Sequence, residues 1–220
     1  MTAAFHTRES LLVTGSIALG AVRELIRQRE GELRRQFPSF LVDSAETLLP
    51  EAEEGQKKMK RLFWQPSGAC TSHDQELSGR FSGQEPGRNE GMGTGTADVR
   101  PLGPGGIFNA LWDTCEMYGA GAVIDIKKIP VRQETIEILE YFDLNPYYAD
   151  SAGASLLVTA DGAGTVFALR EAGIEAAQIG FLTDGKARTI RYGEHTRYLD
   201  RPQLDEFARW ENSHLFCERE

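Results

Sequence analysis

The order of apolar and polar positions at the start of the chain predicts one strand followed by a long helix. Residues 11–14 are apolar or β-branched and end at Gly15, which is typical of a strand entering a turn. Residues 21–37 place apolar side chains near one face and arginines and glutamates on the other, as an amphipathic helix does. Pro38 is expected to end that helix.

The next part of the chain predicts two shorter helices and then a long loop. A helix is expected from Asp43 or Ser44, with an interruption at Pro50, because proline lacks the helical donor. Residues 51–63 follow as another helix whose acidic residues come first and basic residues last, which suits the helix dipole. Residues 75–103 are rich in glycine and polar residues. They predict a flexible insertion, either disordered or a lid over a site.

Helical and strand patterns alternate over the rest of the chain. Helices are predicted over 105–119, 133–142, 164–172 and 204–210, and strands over 122–126, 156–159, 176–182 and 187–192. The last two strands are expected to form a hairpin, since Asp184-Gly185 between them is a strong turn signal. This mixture predicts an α/β (α+β) fold, with a mixed sheet layered with helices. We expect a tail at 1–10 and one domain over 11–216.

Composition and charge exclude several classes of function. The chain has 220 residues, of which 40% are hydrophobic and 26% charged, as in ordinary globular proteins. Its formal net charge of −9 argues against non-specific binding to nucleic acids or anionic membranes, although a small basic pocket remains compatible. No apolar run reaches the length of a membrane span, and the first residues do not resemble a secretory signal. We therefore expect a cytoplasmic protein.

The cysteines predict neither a disulfide framework nor a metal site. There are three of them, Cys70, Cys115 and Cys217, and none forms a CxxC pair. Cys115 lies in an apolar helical pattern and is expected to be buried. Cys70 is followed by His73 and Asp74, but this group lacks a second ligand pair of comparable spacing.

The strongest candidate for chemistry is the start of the helix at Gly105 and Gly106. The first N–H groups of a helix have no helical partner, and the helix dipole favours an anion beside them. A phosphate or carboxylate is therefore expected there. The alternative is that these glycines only allow a sharp turn.

Two further groups of residues are candidates. Ser151, Gly153 and Ser155 stand just before a predicted buried strand, where two hydroxyls flank a glycine. They either bond a substrate phosphate or ring amide, or cap their own turn. His73 and Asp74 are candidate catalytic residues for proton transfer, or ordinary loop residues. The two glycine-marked bends are expected to meet and form a small electropositive notch.

Several segments, taken in order, resemble the C-terminal domain of the aminoimidazole ribonucleotide (AIR) synthase superfamily. Residues 12–20 resemble the first strand and turn of that domain. Residues 68–74 resemble the strand that precedes two helix-opening glycines, which Gly105 and Gly106 match after about thirty intervening residues. Further signatures match at residues 129–131, 145–146 and 151–155. The set covers roughly residues 10–200 and is most similar to AIR synthase-related proteins.

This resemblance implies a PurM C-terminal-domain-like fold that supplies part of a substrate cleft. The superfamily includes AIR synthase, thiamine-monophosphate kinase and the hydrogenase maturation carbamoyl dehydratase. In such proteins the N-terminal half supplies most of the ATP and magnesium site and usually the dimer contact. Only ten residues precede Leu11, so that half is expected to be missing. The resemblance therefore implies no cofactor for this chain alone, and ATP with Mg²⁺ only with a partner.

Three functions follow as alternatives. The first is a stand-alone domain that binds a phosphorylated or carboxylated small molecule through Gly105, Gly106, Ser151, Gly153 and Ser155. The second is a subunit of an ATP-dependent enzyme that activates an amide or carbamoyl oxygen, with a separate ATP-binding chain. The third is a truncated structural or oligomerisation module, which includes a homodimer. None of them involves nucleic acid or a membrane.

Overall fold

The computed structural model describes residues 9–63 and 97–217, with side chains to residue 213. Within these residues seven strands are present: Ser10–Thr14 (β1), Ala97–Pro101 (β2), Gly121–Asp125 (β3), Ser155–Thr159 (β4), Ala176–Thr183 (β5), Arg188–Tyr192 (β6) and His195–Tyr198 (β7). The α-helices are Leu19–Gln36 (α1), Ser39–Phe63 (α2), Gly106–Tyr118 (α3), Gln133–Tyr141 (α4), Gly162–Glu171 (α5) and Glu206–Cys217 (α6), and a short 3₁₀ turn lies at Ile126–Lys128. None of the helices in this part of the chain is long and apolar enough to cross a membrane.

The strands form one mixed sheet in the order β2-β4-β1-β5-β3-β6-β7. Neighbouring strands are antiparallel except β3 and β6, which are parallel. The expected mixed sheet layered with helices is therefore confirmed.

The centre of the sheet is built from two strands with the same sequence. Both β1 and β4 read Ser-Leu-Leu-Val-Thr, and all five residues of each strand are buried. They pair antiparallel, with Leu12 opposite Leu157. An uninterrupted apolar run is what a strand covered on both faces requires.

Helices cover both faces of this central region. Leu11 and Val13 point to a core formed with α1, α3 and α4, while Leu12 points to a second core. That second core contains Met59 from the end of α2 and Leu169 from α5. The alternation of side chains along β1 therefore assigns neighbouring leucines to opposite layers.

The predicted break at Pro50 is wrong, because α2 runs continuously from Ser39 to Phe63. Proline at this position removes one helical N–H donor but does not end the helix. Buried residues on both sides, Leu49 and Met59 among them, dock one face of α2 on the protein. This packing outweighs the local cost of the proline.

The predicted hairpin between residues 176–182 and 187–192 is also wrong. β3 lies between β5 and β6 and pairs with both, antiparallel to β5 and parallel to β6. The hairpin that does form joins β6 to β7 through Gly193 and Glu194, with Tyr192 opposite His195. The turn signal at Asp184-Gly185 marks a change of direction, but it does not determine which strand is the neighbour.

The last part of the predicted insertion at 75–103 belongs to the sheet. β2 pairs antiparallel with β4 and ends at Pro101, so residues 102–104 alone separate it from the two glycines at the start of α3. The strand that directly precedes these glycines is therefore β2. Residues 68–74, to which the sequence assigned that place, and residues 75–96 lie outside the described residues.

Candidate functional site

The start of α3 requires glycine at two successive positions. Gly105 and Gly106 have left-handed φ angles of +81° and +65°. A Cβ atom on Gly106 would lie 2.5 Å from the carbonyl oxygen of Tyr147 and 2.8 Å from that of Ala149. The first turn of the helix therefore lies directly against the backbone of the loop before β4. Sharp turning and close approach both explain these glycines.

The two glycine-marked bends do meet in the structure. The carbonyl oxygen of Gly103 accepts hydrogen bonds from the backbone N–H of Gly106 at 3.1 Å and from that of Ser151 at 3.2 Å. The Ser151 hydroxyl accepts from the N–H of Ala18 at 3.0 Å and donates to the carbonyl of Ala149 at 2.9 Å. Ser151 is completely buried. Its hydroxyl thus ties the start of α1 to the loop.

Gly153 and Ser155 face a different neighbour, helix α2. A Cβ atom on Gly153 would lie 2.9 Å from the Cβ of Ala52. The Gln56 side-chain amide donates to the Ser155 hydroxyl at 3.2 Å, and Ser155 is completely buried. The five candidate residues therefore divide into two groups, one at the start of α3 and one against α2. Neither serine hydroxyl is exposed to a ligand in solution.

A carboxylate already lies at the start of α3. The N–H of Gly105 donates to Oδ2 of Asp205 at 2.9 Å. The other oxygen of Asp205 accepts from the N–H groups of Phe207 at 3.0 Å and Ala208 at 3.2 Å, in the first turn of α6. One side chain therefore satisfies the starts of two helices. The Leu-Asp-Glu-Phe sequence at 204–207 is typical of such a capping aspartate, but its contact with Gly105 had no sequence signal.

The segment before α6 is held in place beside α3. The Asn109 amide donates to the carbonyl of Gln203 at 2.7 Å, and its oxygen accepts from the N–H of Gln203 at 3.1 Å. Because Asn109 belongs to the first turns of α3, this pair positions Asp205 close to the helix start. Several contacts, and not a single hydrogen bond, therefore hold Asp205 over the start of α3.

The surroundings of this carboxylate are acidic, which corrects the expected electropositive notch. Asp150 lies on the loop before β4. Burial raises the pKa of its carboxyl group, and the negative charge of Asp205 raises this pKa further. A hydrogen bond from the N–H of Ala152 and the positive charge of Arg23 oppose this rise. Two carboxylates therefore share the region where the sequence predicted positive potential.

A cavity of about 230 Å³ opens on the α2 side of the same loop. It is lined by the turn after β1, including Gly15 and Ser16, and by Gln56 and Gly153. Its charged lining residues are Glu51, Arg132 and Glu175, and Arg132 contacts Glu175 at 2.8 Å. Both members of this pair are largely exposed, so the ion pair is weak. One positive and two negative charges do not favour a polyphosphate in this cavity.

The other predicted residues are the candidate catalytic pair and the cysteine of α3. His73 and Asp74 lie outside the described residues. Cys115 is buried, as predicted, and burial raises its thiol pKa to about 11. Among residues 9–63 and 97–217, no group of three or more histidine, cysteine, aspartate or glutamate side chains is placed to hold a metal ion.

Comparisons with known proteins identify the fold. The sequence matches no protein-family model and no curated protein sequence. The structure, in contrast, has the fold of the PurM-like AIR synthase superfamily, which confirms the fold expected from the resemblance.

Several of the similar solved structures are of HypE. HypE from E. coli, a hydrogenase maturation protein, matches with a TM-score of 0.58 and 16% sequence identity, over 94% of this chain and 54% of that one. HypE in the HypE–HypF complex gives a TM-score of 0.56 at 20% identity, over 89% and 53%. HypE in complex with ATP gives 0.55 at 16% identity, over 90% and 52%. The chain thus spans about half the length of these relatives.

Proposed function

We propose that this chain binds a small phosphorylated or carboxylated molecule at the first turn of α3, as one half of a PurM-like assembly. The observation that supports the proposal is the bond from the Gly105 N–H to the Asp205 carboxylate at 2.9 Å. The turn holds an anionic oxygen of the chain itself, in the position where an external anion is expected. A ligand would compete with Asp205 for this donor.

The candidate residues take different roles under this proposal. Gly105 contacts the anion through its N–H. Gly106, whose N–H already donates to a carbonyl within the turn, allows the close approach of the helix start to the loop. Ser151 is a positioning residue that holds the loop against α1, and Gly153 and Ser155 hold the loop against α2. His73 and Asp74 remain candidates for orienting the ligand on the sequence argument alone.

The alternative is a subunit of an ATP-dependent enzyme that activates an amide or carbamoyl oxygen. Its support is that one similar solved structure is HypE in complex with ATP and another is a HypE–HypF complex. A separate chain would then supply most of the ATP and Mg²⁺ site, and the α3 start would stabilise the developing anion. A purely structural or oligomerisation role is the third alternative. The expected cytoplasmic location also remains a proposal.

Thermal unfolding with a panel of anions tests the proposal. Acetate, inorganic phosphate, ribose 5-phosphate, AMP and ATP are each added with and without Mg²⁺. A ligand at 100 times its Kd stabilises the folded chain by about 2.7 kcal/mol, which shifts the midpoint measurably. Absence of any shift at millimolar concentrations contradicts binding by this chain alone. A shift with ATP that needs a co-purified partner favours the enzyme subunit.

A matched pair of variants tests whether the anion binds at the start of α3. Asp205→Asn keeps an oxygen that accepts from the start of α6 but removes the charge that competes for Gly105. We expect it to increase anion affinity about tenfold, or roughly 1.4 kcal/mol. Asp161→Asn is the control, because Asp161 caps α5 in the same way through the N–H of Gly164. Equal affinities in the two variants would place the anion elsewhere.

A further inference from the structure

The sheet ends on β7, whose outer edge is unpaired among the described residues. In an antiparallel hairpin, alternate residues bond to the partner strand and the others point away from it. The N–H of Leu199 donates to the carbonyl of Arg188 at 2.8 Å. The backbone groups of Arg197 and His195 therefore face β6, and those of Thr196 and Tyr198 face outward.

Within the part of the chain that the structure describes, this edge is open to another strand. All four residues of β7 are exposed, and Tyr198 is 73% exposed. β7 contains no proline, and it pairs with β6 in continuous register without a bulge. Prolines and bulges are two of the devices that protect sheet edges from further pairing. Charged side chains such as Arg197 are another, but they leave pairing open to a partner of opposite charge. The N–H and C=O groups of Thr196 and Tyr198 are thus available to an added strand.

The edge is also basic in an acidic protein. Residues 184–201 contain five basic and three acidic side chains, while the whole chain has a net charge of −9. One of the five, Arg188, is largely buried and paired with Glu116 at 2.7 Å, which leaves four basic side chains for the surface. Arg191 is exposed on β6, and the ammonium group of Lys127 lies 4.9 Å from the ring centroid of Tyr192, which is 60% exposed. Arg197 is only 3.5 Å from Asp200, but both side chains are more than half exposed, so this ion pair is weak.

These charges decide which occupant fits the edge. A second copy that paired antiparallel through its own β7, with Thr196 opposite Tyr198, would place Arg197 directly opposite Arg197, and like charges across strands are destabilising. A nucleic acid lacks the alternating peptide N–H and C=O groups that pair with the edge of a sheet. An acidic polypeptide strand instead forms backbone hydrogen bonds with β7. Its acidic side chains then lie close to the basic side chains of β6 and β7.

We propose that the outer edge of β7 is a docking surface for an acidic, extended segment of a partner protein, which adds as a further strand of the sheet. Thr196 and Tyr198 provide the backbone hydrogen bonds of this β-augmentation, and Arg191 and Arg197 attract acidic side chains on its two faces. The guanidinium group of Arg197 lies 5.7 Å from the ring centroid of Phe108 in α3. The backbone edge of β7 includes neither Asp205 nor Gly105, so this inference does not depend on the proposed function.

Peptide binding to the full chain tests the proposal. The probe is a fluorescein-labelled peptide in which glutamate alternates with valine and threonine, and its binding is followed by fluorescence anisotropy. A peptide with lysine in place of glutamate is the matched control. We expect saturable binding of the acidic peptide alone, weakening between about 20 mM and about 150 mM salt because exposed charges are screened. Equal binding of both peptides would overturn the charge argument.

Two variants separate backbone pairing from charge. Thr196→Pro removes an outward N–H that β6 does not use, and we expect affinity for the acidic peptide to fall about tenfold. Arg191→Glu is expected to weaken binding and to reduce its salt dependence. Arg35→Glu, an exposed position on α1, makes the same change in net charge and is expected to leave binding unaltered. Circular dichroism checks that each variant is folded.

Hydrogen exchange tests the geometry in the unmodified chain, even where a variant does not fold. Addition of the acidic peptide should slow exchange at the amides of Thr196 and Tyr198 and leave Arg197, already bonded to β6, unchanged. Protection elsewhere would overturn the proposal. So would a concentration-dependent dimer that Thr196→Pro abolishes, since a second copy would then occupy the edge. Tighter binding of a single-stranded oligonucleotide than of the acidic peptide would overturn it as well.

Discussion

Substitution of Gly106 by alanine tests the close approach on which the candidate site is built. Gly106 has a φ of +65°, and a Cβ atom there would lie 2.5 Å and 2.8 Å from two carbonyl oxygens of the neighbouring loop. The atoms in the way belong to the backbone, so they cannot move as a side chain would. The loop from Tyr147 to Ala149 has to shift away from α3.

Two effects contribute to the loss in the free energy of unfolding. Alanine in the left-handed region costs about 1–2 kcal/mol relative to glycine. A shift of the loop also breaks the hydrogen bond from the N–H of Phe108 to the carbonyl of Tyr147, which is 3.1 Å long. Leaving that buried donor unpaired costs about 1–3 kcal/mol. We therefore expect Gly106→Ala to lower the free energy of unfolding by about 3 kcal/mol.

Gly119→Ala separates the two terms. Gly119 ends the same helix with a φ of +60°, but a Cβ atom there would meet nothing within 4 Å. This variant should lose only the backbone term, about 1 kcal/mol. Urea unfolding of both variants gives the free energies by linear extrapolation, provided that the slopes agree. If the two variants differ by less than about 0.5 kcal/mol, α3 does not press on the loop as described.

Two further predictions concern buried titratable groups. Because burial raises the pKa of Asp150, its ionisation opposes folding, and this cost grows as pH rises through the folded-state pKa. Asp150→Asn should therefore be more stable than the unmodified chain at neutral pH and equal to it in acid, which urea unfolding at several pH values measures; a gain that persists in acid would refute this. Cys115, in a chain carrying Cys70→Ser and Cys217→Ser, should react with iodoacetamide at pH 8 no faster than the chain unfolds, since the thiol is buried and its pKa is about 11. Mass spectrometry follows the reaction, and labelling within minutes under native conditions would contradict the burial.

The sequence predicted those features whose signals are local. The apolar runs of β1 and β4 identify strands buried on both faces, since no solvent-facing position interrupts them. The amphipathic pattern of α1 and the glycine that follows α5 likewise depend on nearby residues. The AIR synthase-like order of these elements then led to the fold that the solved structures share.

The errors arose where distant residues decide the outcome. The turn signal before β6 is real, but the place beside β5 is taken by β3, which comes more than fifty residues earlier. Pro50 lies inside α2 because tertiary packing holds the helix on both sides. β2 was missed because its five residues include one aspartate, one arginine and one proline, so an edge strand resembles a loop in sequence.

The candidate site shows the same division between local and distant information. The sequence located the helix start that needs a negative partner, but it did not reveal that Asp205, one hundred positions from Gly105, provides one. An intramolecular carboxylate acts at a high effective concentration, so a single weak carboxylate such as acetate should displace it poorly. A phosphate carries more charge and more acceptor oxygens, so it should compete better than acetate for the N–H of Gly105. The identity of the first anion that shifts the melting temperature therefore depends on how well it competes with Asp205, and not only on how well it fits the turn.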